Sequence, residues 1–163
     1  MASPVRTEGF SAFVDAARRF CALIDGAPYP DRDDFAARAD RTLADVHAAA
    51  LLLDAEFHDG PSSPPISHED WTARFDALSE TLGDWSTYWS VFEMEGPEAG
   101  EAIEHFLDDD LADVWRDLKA GLLGLDAGVA PEVVAWEWRL GHRIHWGRHA
   151  VEAIRALHVR RFE

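Results

Sequence analysis

The sequence holds a single cysteine, Cys21, in 163 residues. No internal disulfide can form, so packing alone must hold the fold. Cys21 falls beside Phe20 and Ile24 on an apolar helical stripe, which makes it a core residue and not a nucleophile. Long apolar runs are also missing. Nothing approaches the ~20 residues a membrane span requires, and the stretch Met1 to Gly9 has no secretory-type apolar segment. A cytoplasmic, bacterial-style protein is the expectation, with no membrane partner. Basic charge is scarce as well: 15 Lys and Arg stand against 31 Asp and Glu, a formal net charge of −16. That balance repels nucleic-acid phosphates and excludes nucleic acid as an expected partner, while it would steer a basic protein surface toward this one. Internal repeats, low-complexity tracts, strand patterns and glycine-rich phosphate loops are all absent from the pattern, which removes the usual nucleotide sites.

What is present is ample apolar material. Hydrophobic residues make up 47% of the chain, with seven tryptophans, nine phenylalanines and two tyrosines. This is enough to offset the conformational entropy of folding in a chain of single-domain length. One helical domain over residues 1–163 is expected, with residues 1–6 flexible.

The periodicity predicts five helices. The first spans about Thr7 to Asp25, with Phe10, Phe13, Val14, Ala17, Phe20, Cys21 and Ile24 at three- and four-residue spacing and Gly26 as a stop. The second follows the acidic start Asp31, Asp33 and Asp34, carries Phe35, Ala39, Leu43, Val46, Ala50, Leu53 and Phe57, and ends near Glu56. Ser67 and Asp70 form a capping box for the third, which carries Trp71, Phe75, Leu78 and Leu82 as far as Gly83. Trp85, Tyr88, Trp89 and Phe92 then lie in an aromatic connector without a clean period, expected to be irregular or briefly helical and either to close one end of the bundle as core or to form an interaction surface. A fourth helix is expected from about Glu98 to Leu125 with Ile103, Leu107, Leu111, Val114, Trp115, Leu118 and Leu122 inward. The fifth is expected from Glu132 to Val159 with Trp136, Leu140, Ile144, Gly147, Val151 and Ile154 as its core stripe. Short links between amphipathic helices imply an all-α antiparallel bundle.

On a continuous fifth helix, Trp138, His142, His145, His149 and Glu152 share about an 80° arc nearly opposite the aliphatic stripe. A tryptophan and three histidines gathered there mark either a second packing layer or a site. His145 and His149 are one turn apart, so both imidazoles can reach one metal ion. The peptidase form of that motif places a glutamate after the first histidine, where this chain has Trp146, so a protease is excluded. Further ligands can come from His47, Asp109 or Asp113, since bundle metal sites draw on facing helices. The alternative role of His145 and His149 is structural, as hydrogen-bond partners of carboxylates on a neighbouring helix. Asp109, Asp113, Arg116 and Asp117 share the polar face of the fourth helix. No nucleophile or oxyanion donor accompanies these carboxylates, so no catalytic residue is assigned.

Asp109-Asp110-Leu111-Ala112-Asp113-Val114-Trp115-Arg116-Asp117-Leu118-Lys119, with Trp136-Glu137-Trp138-Arg139, His145-Trp146-Gly147-Arg148-His149-Ala150 and Tyr88-Trp89-Ser90-Val91-Phe92, resembles a bacterial family of domains of unknown function, number 5063. The resemblance implies a small helical bacterial protein and no substrate or cofactor. It keeps the positions of His145 and His149, and does not extend to His47 or His142.

The leading expectation is a non-enzymatic, acidic, protein-binding bundle of adaptor or immunity type. Its partner would have a basic surface, its contact patch would be Trp85, Tyr88, Trp89 and Phe92, and it would need no cofactor. The alternative is a bundle holding a divalent metal through His145, His149 and Asp113, with hydrolase- or transferase-like chemistry. Trp138, His142, His145, His149, Asp109, Asp113 and Arg116 form the candidate binding face on either reading.

Overall fold

The computed structural model describes residues 7 to 163 with the exception of residue 92. The expected flexibility of residues 1–6 and the place of Phe92 in the aromatic patch therefore lie outside the described residues. Among those, six α-helices and one two-stranded antiparallel sheet build the fold. The helices are α1 (Thr7–Asp25), α2 (Arg32–Leu52), α3 (His68–Leu82), α4 (Leu107–Asp126), α5 (Pro131–Ile144) and α6 (Trp146–Phe162), and the strands are β1 (Thr87–Val91) and β2 (Ala102–Phe106).

Helix α4 is the central element, packed against α1, α3, α5 and α6, while α2 closes the layer against α1 and α6. The apolar stripes read on the first four helices account for this. Phe13, Phe20 and Ile24 of α1, Phe35, Leu43 and Val46 of α2, Leu78 and Leu82 of α3, and Leu107, Leu111, Val114 and Leu118 of α4 are fully buried. Cys21 is buried among them, and burial pushes its thiol well above the ordinary range, which leaves it inert. Asp31 caps α2 and Ser67 caps α3, each accepting a hydrogen bond from the backbone N–H three residues on. No helix among the described residues is long and apolar enough to cross a membrane.

The structure departs from the periodic reading in three places. Helix α2 ends at Leu52, and Phe57, placed on its stripe by spacing, is 70% exposed. The segment read as the start of the fourth helix is instead β2, paired with the connector: Thr87 faces Phe106, Trp89 faces Glu104 and Val91 faces Ala102. Alternation runs along β1, with Tyr88 and Ser90 turned inward and Trp89 outward. After the three-residue 3₁₀ turn Gly83–Trp85, the aromatic connector is thus a strand, and its β-branched and aromatic residues suit one.

The third departure matters most. The long fifth helix breaks at His145 (φ −144°, ψ −88°) into α5 and α6. Half of its expected core stripe is outward, with Ile144 74% exposed and Leu140 and Val151 also exposed, while Gly147 is buried and Trp136 and Ile154 are half-buried. The core face instead carries Val134, Ala135 and Trp138 on α5, then Trp146, Ala150, Ala153 and Leu157 on α6. Small residues let α6 lie close to α2 and α4, so alanine replaces the larger aliphatics at the contact.

Candidate metal centre

Helix α4 places Asp110, Asp113 and Asp117 three and four residues apart, so the three carboxylates line one face. The N-terminal turn also holds Asp108 and Asp109, where the helix dipole favours negative charge. Asp108 is fixed by a hydrogen bond from the Ser79 hydroxyl and another from the Asp109 backbone N–H, and burial raises its pKa above the usual carboxylate range. Helix α6 lies against α4 and presents His149, while His145 sits at the α5–α6 break.

The two elements interlock. His145 Nδ1–H donates to Asp117 Oδ2 at 2.8 Å, and His149 Nδ1–H donates to Asp110 Oδ1 at 2.7 Å. A carboxylate can only accept, so each contact fixes the tautomer and leaves Nε2 turned the other way. Both Nε2 atoms approach the carboxylate between them: Asp113 Oδ2 is 3.5 Å from His145 Nε2 and 3.4 Å from His149 Nε2. These separations are longer than hydrogen bonds. Two ligands bound about 2.0–2.1 Å from a tetrahedral ion stand roughly 3.4 Å apart. One ligand atom from each of Asp113, His145 and His149 lies within 4.8 Å of the others.

The surroundings hold this triangle in place. Asp113 Oδ1 accepts from Trp71 Nε1 at 2.8 Å and pairs with Arg116 at 3.1 Å, which leaves Oδ2 as the oxygen facing the imidazoles. Arg116 also reaches Asp117, at 3.7 Å. Trp71 is stacked between His68 and Phe75. Asp110 is buried, and its second oxygen accepts the hydroxyl of Tyr88 from β1. Burial and Asp110 together push the Tyr88 phenol well above its ordinary range, so it stays a donor.

The hydrogen bond to Asp110 raises the pKa of His149, assisted by the negative charge of Asp113 and Asp109 and opposed by burial. Burial, then the charge of Asp113, raises that of Asp109. Asp109, Asp110 and His149 form a second close group that shares His149 with the first.

Of the residues singled out by sequence, the structure brings together His145, His149, Asp109, Asp113 and Arg116. Trp138 and His142 are elsewhere. Trp138 is 2% exposed and packs on Phe13 with ring centroids 4.8 Å apart. His142 packs edge-on against Trp146 and meets His47 with Nε2 to Nδ1 at 3.1 Å, so His47 also stands apart from the triangle. The arc that joined Trp138 and His142 to His145 assumed an unbroken helix. Of the aromatic patch, Trp85 lies under the Arg32 guanidinium at 4.3 Å, Tyr88 donates its hydroxyl to Asp110, and Trp89 is 67% exposed. Sequence reading passed over Asp110 and Trp71 as site residues. The 110/113/117 spacing opposite a 145/149 pair is the signal that could have found Asp110, whereas nothing local pointed to Trp71.

The crystal structure of protein BF1032 from Bacteroides fragilis is similar to this chain, with a TM-score of 0.82 and 21% sequence identity over 96% of this chain and 94% of that one. At that identity the likeness is one of fold. No curated protein matches the chain. Over residues 5–163, nearly its whole length, the sequence matches the family described as Domain of unknown function (DUF5063), and the chain belongs to that family.

Proposed function

We propose that this protein binds a divalent transition-metal ion between α4 and α6, through Asp113 Oδ2, His145 Nε2 and His149 Nε2. One observation carries the reading. Each imidazole is tied at Nδ1 to its own carboxylate, and both turn Nε2 toward a third carboxylate at 3.4–3.5 Å. Nδ1–H to carboxylate contacts are the usual outer support of metal-bound histidine, because they orient the ring and raise its basicity. Two imidazoles and a carboxylate suit zinc, iron(II) or manganese(II) better than the oxygen-seeking magnesium and calcium.

The His145 side chain is 37% exposed, so an ion held there would remain accessible to a small substrate or to water. Its chemistry would be that of a Lewis acid, polarising a carbonyl or lowering the pKa of bound water, which suits a hydrolytic or group-transfer reaction.

Calorimetric titration with zinc and manganese, together with elemental analysis of protein purified without chelator, tests the proposal. Stoichiometric binding that is lost in Asp113→Asn and His149→Ala is expected. A melting temperature unmoved by added zinc, manganese or iron, in protein that also carries no metal, would overturn it, since a native-state ligand must stabilise by mass action.

A second reading, recognition of a protein with a basic surface, is favoured by the outward face of the hairpin. Trp89 is 67% exposed there beside Val91 at 40% and Phe106 at 48%, on a chain of net charge −16. Salt-sensitive capture of a stoichiometric partner that Trp89→Ser abolishes would support it, and capture unaffected by Trp89→Ser would remove the hairpin face from the reading.

A further inference from the structure

Tyr88 is the point at which the hairpin meets the α4–α6 seam. Its hydroxyl donates to Asp110 Oδ2, while Asp110 Oδ1 accepts from His149 Nδ1–H at 2.7 Å. Asp110 is only 5% exposed, so both of its oxygens depend on protein donors for the solvation they have lost. Tyr88 supplies one and His149 the other. The Tyr88 ring is stacked at 5.4 Å on His105, its cross-strand partner, so β2 rests on the same anchor. The next inward residue, Ser90, is buried. Further ties of the hairpin lie at its two ends: Leu107 N–H to Ser86 O at 2.7 Å and Arg160 to Thr87 O at 2.8 Å near the base, and Arg148 to Glu93 at 3.6 Å beyond β1. None of these reaches the imidazoles.

We infer that Tyr88 is a positioning residue for the His149 arm of the metal centre, and that metal occupancy is coupled through Asp110 to how tightly the β1–β2 hairpin is held. The inference rests on the proposed metal site. An ion on His149 Nε2 fixes the ring and makes its Nδ1–H a stronger donor. That pins Asp110, and Asp110 in turn pins the Tyr88 hydroxyl. Hydrogen bonds arranged in series strengthen one another, so the effect reaches the strand. Coupling is reciprocal: by whatever factor the ion tightens the hairpin, the intact hairpin tightens the ion.

Hydrogen–deuterium exchange of the full chain with and without zinc, on the wild type and on Tyr88→Phe, tests this alongside zinc affinity by competition titration. In the wild type, zinc should slow exchange of the amides of Thr87–Val91 and Ala102–Phe106 several-fold. Tyr88→Phe should still bind zinc, about threefold to tenfold more weakly, below the 10–100-fold cost of losing an outer-shell partner outright. Its hairpin exchange should no longer respond. Glu104→Gln, which changes an exposed residue of β2, should keep both the affinity and the response. Wild-type affinity in Tyr88→Phe, or an undiminished hairpin response in it, would overturn the coupling. Zinc binding to the wild type without any change in hairpin exchange would overturn the coupling and leave the metal site standing. No zinc binding to the wild type would remove both.

Discussion

Gly147 sits directly beneath His142: a Cβ built at position 147 would lie 2.1 Å from the His142 carbonyl oxygen and 2.8 Å from its ring. Gly141 is confined in the same way by Trp146, whose ring would approach its Cβ to 2.9 Å. Backbone and indole therefore occupy the space that side chains would need, and the sharp break at His145 depends on both glycines. Gly147→Ala should cost on the order of 2 kcal/mol or more, since the nearest atom is backbone and cannot swing away. Because the break sets the direction of α6, the variant should also bind zinc more weakly. Urea denaturation and calorimetric titration on the same preparation check the two effects together.

The His47–His142 contact predicts an acid sensitivity. Burial, then the neighbouring His47, lowers the pKa of His142. A group whose folded-state pKa is depressed contributes stability that is fully present above its unfolded pKa, about 6.5 for histidine, and is lost as pH falls through the folded value. Melting temperature should decline as pH drops below about 6.5, and in His142→Phe that decline should be shallower. Thermal melts across this range on both proteins measure the difference. Equal slopes would show that His142 does not titrate as its packing requires.

Trp138 separates a core role from a site role. It is buried against Phe13 and lies over Gly121, so Trp138→Ala should cost about 3–5 kcal/mol. Zinc affinity of the folded fraction should be retained, since no ligand touches the indole. Loss of zinc binding with unchanged stability would return Trp138 to the candidate binding face.

Asp113→Asn should show the reverse pattern. The substitution preserves size and leaves a carbonyl oxygen for Trp71 and Arg116, yet it removes the charge shared by the two imidazoles. Zinc binding should weaken by more than about a hundredfold, since even outer-shell losses cost 10–100-fold. Circular dichroism and the urea midpoint should stay close to those of the wild type.

Much of this was legible locally. The stripes Phe13–Phe20–Ile24 and Leu107–Leu111–Val114–Leu118 are buried as their spacing requires, and the Ser67 cap forms where its side chain predicts. Ile103 was misleading because it continues the four-residue row of Leu107 and Leu111. Its actual state, paired with Ser90, depends on a strand more than ten residues away that no helical window samples. Leu140, Ile144 and Val151 outweighed Ala150 and Ala153 in the periodic reading for a similar reason. Transfer free energy rewards large side chains, whereas the observed contact requires small ones.

The histidine pair and Asp113 could be named from four-residue spacing. The tethering of Nδ1 by Asp110 and Asp117 could not, since it depends on the relative height of α4 and α6. Gly141 and Gly147, flanking His145, were the one local sign that the fifth helix does not run through.

Three carboxylates on α4 against one imidazole on α6 and another at its N-cap also act as a vernier. The helices run antiparallel, with Asp110 opposite His149 and Asp117 opposite His145, and only in this alignment does one carboxylate fall between two rings. A slip of one turn, about 5.4 Å, would leave one imidazole facing a carboxylate and strand the other. The docking height of α6 is thereby marked by charge as well as by shape, and the alanine face that makes close approach possible does not have to specify register on its own.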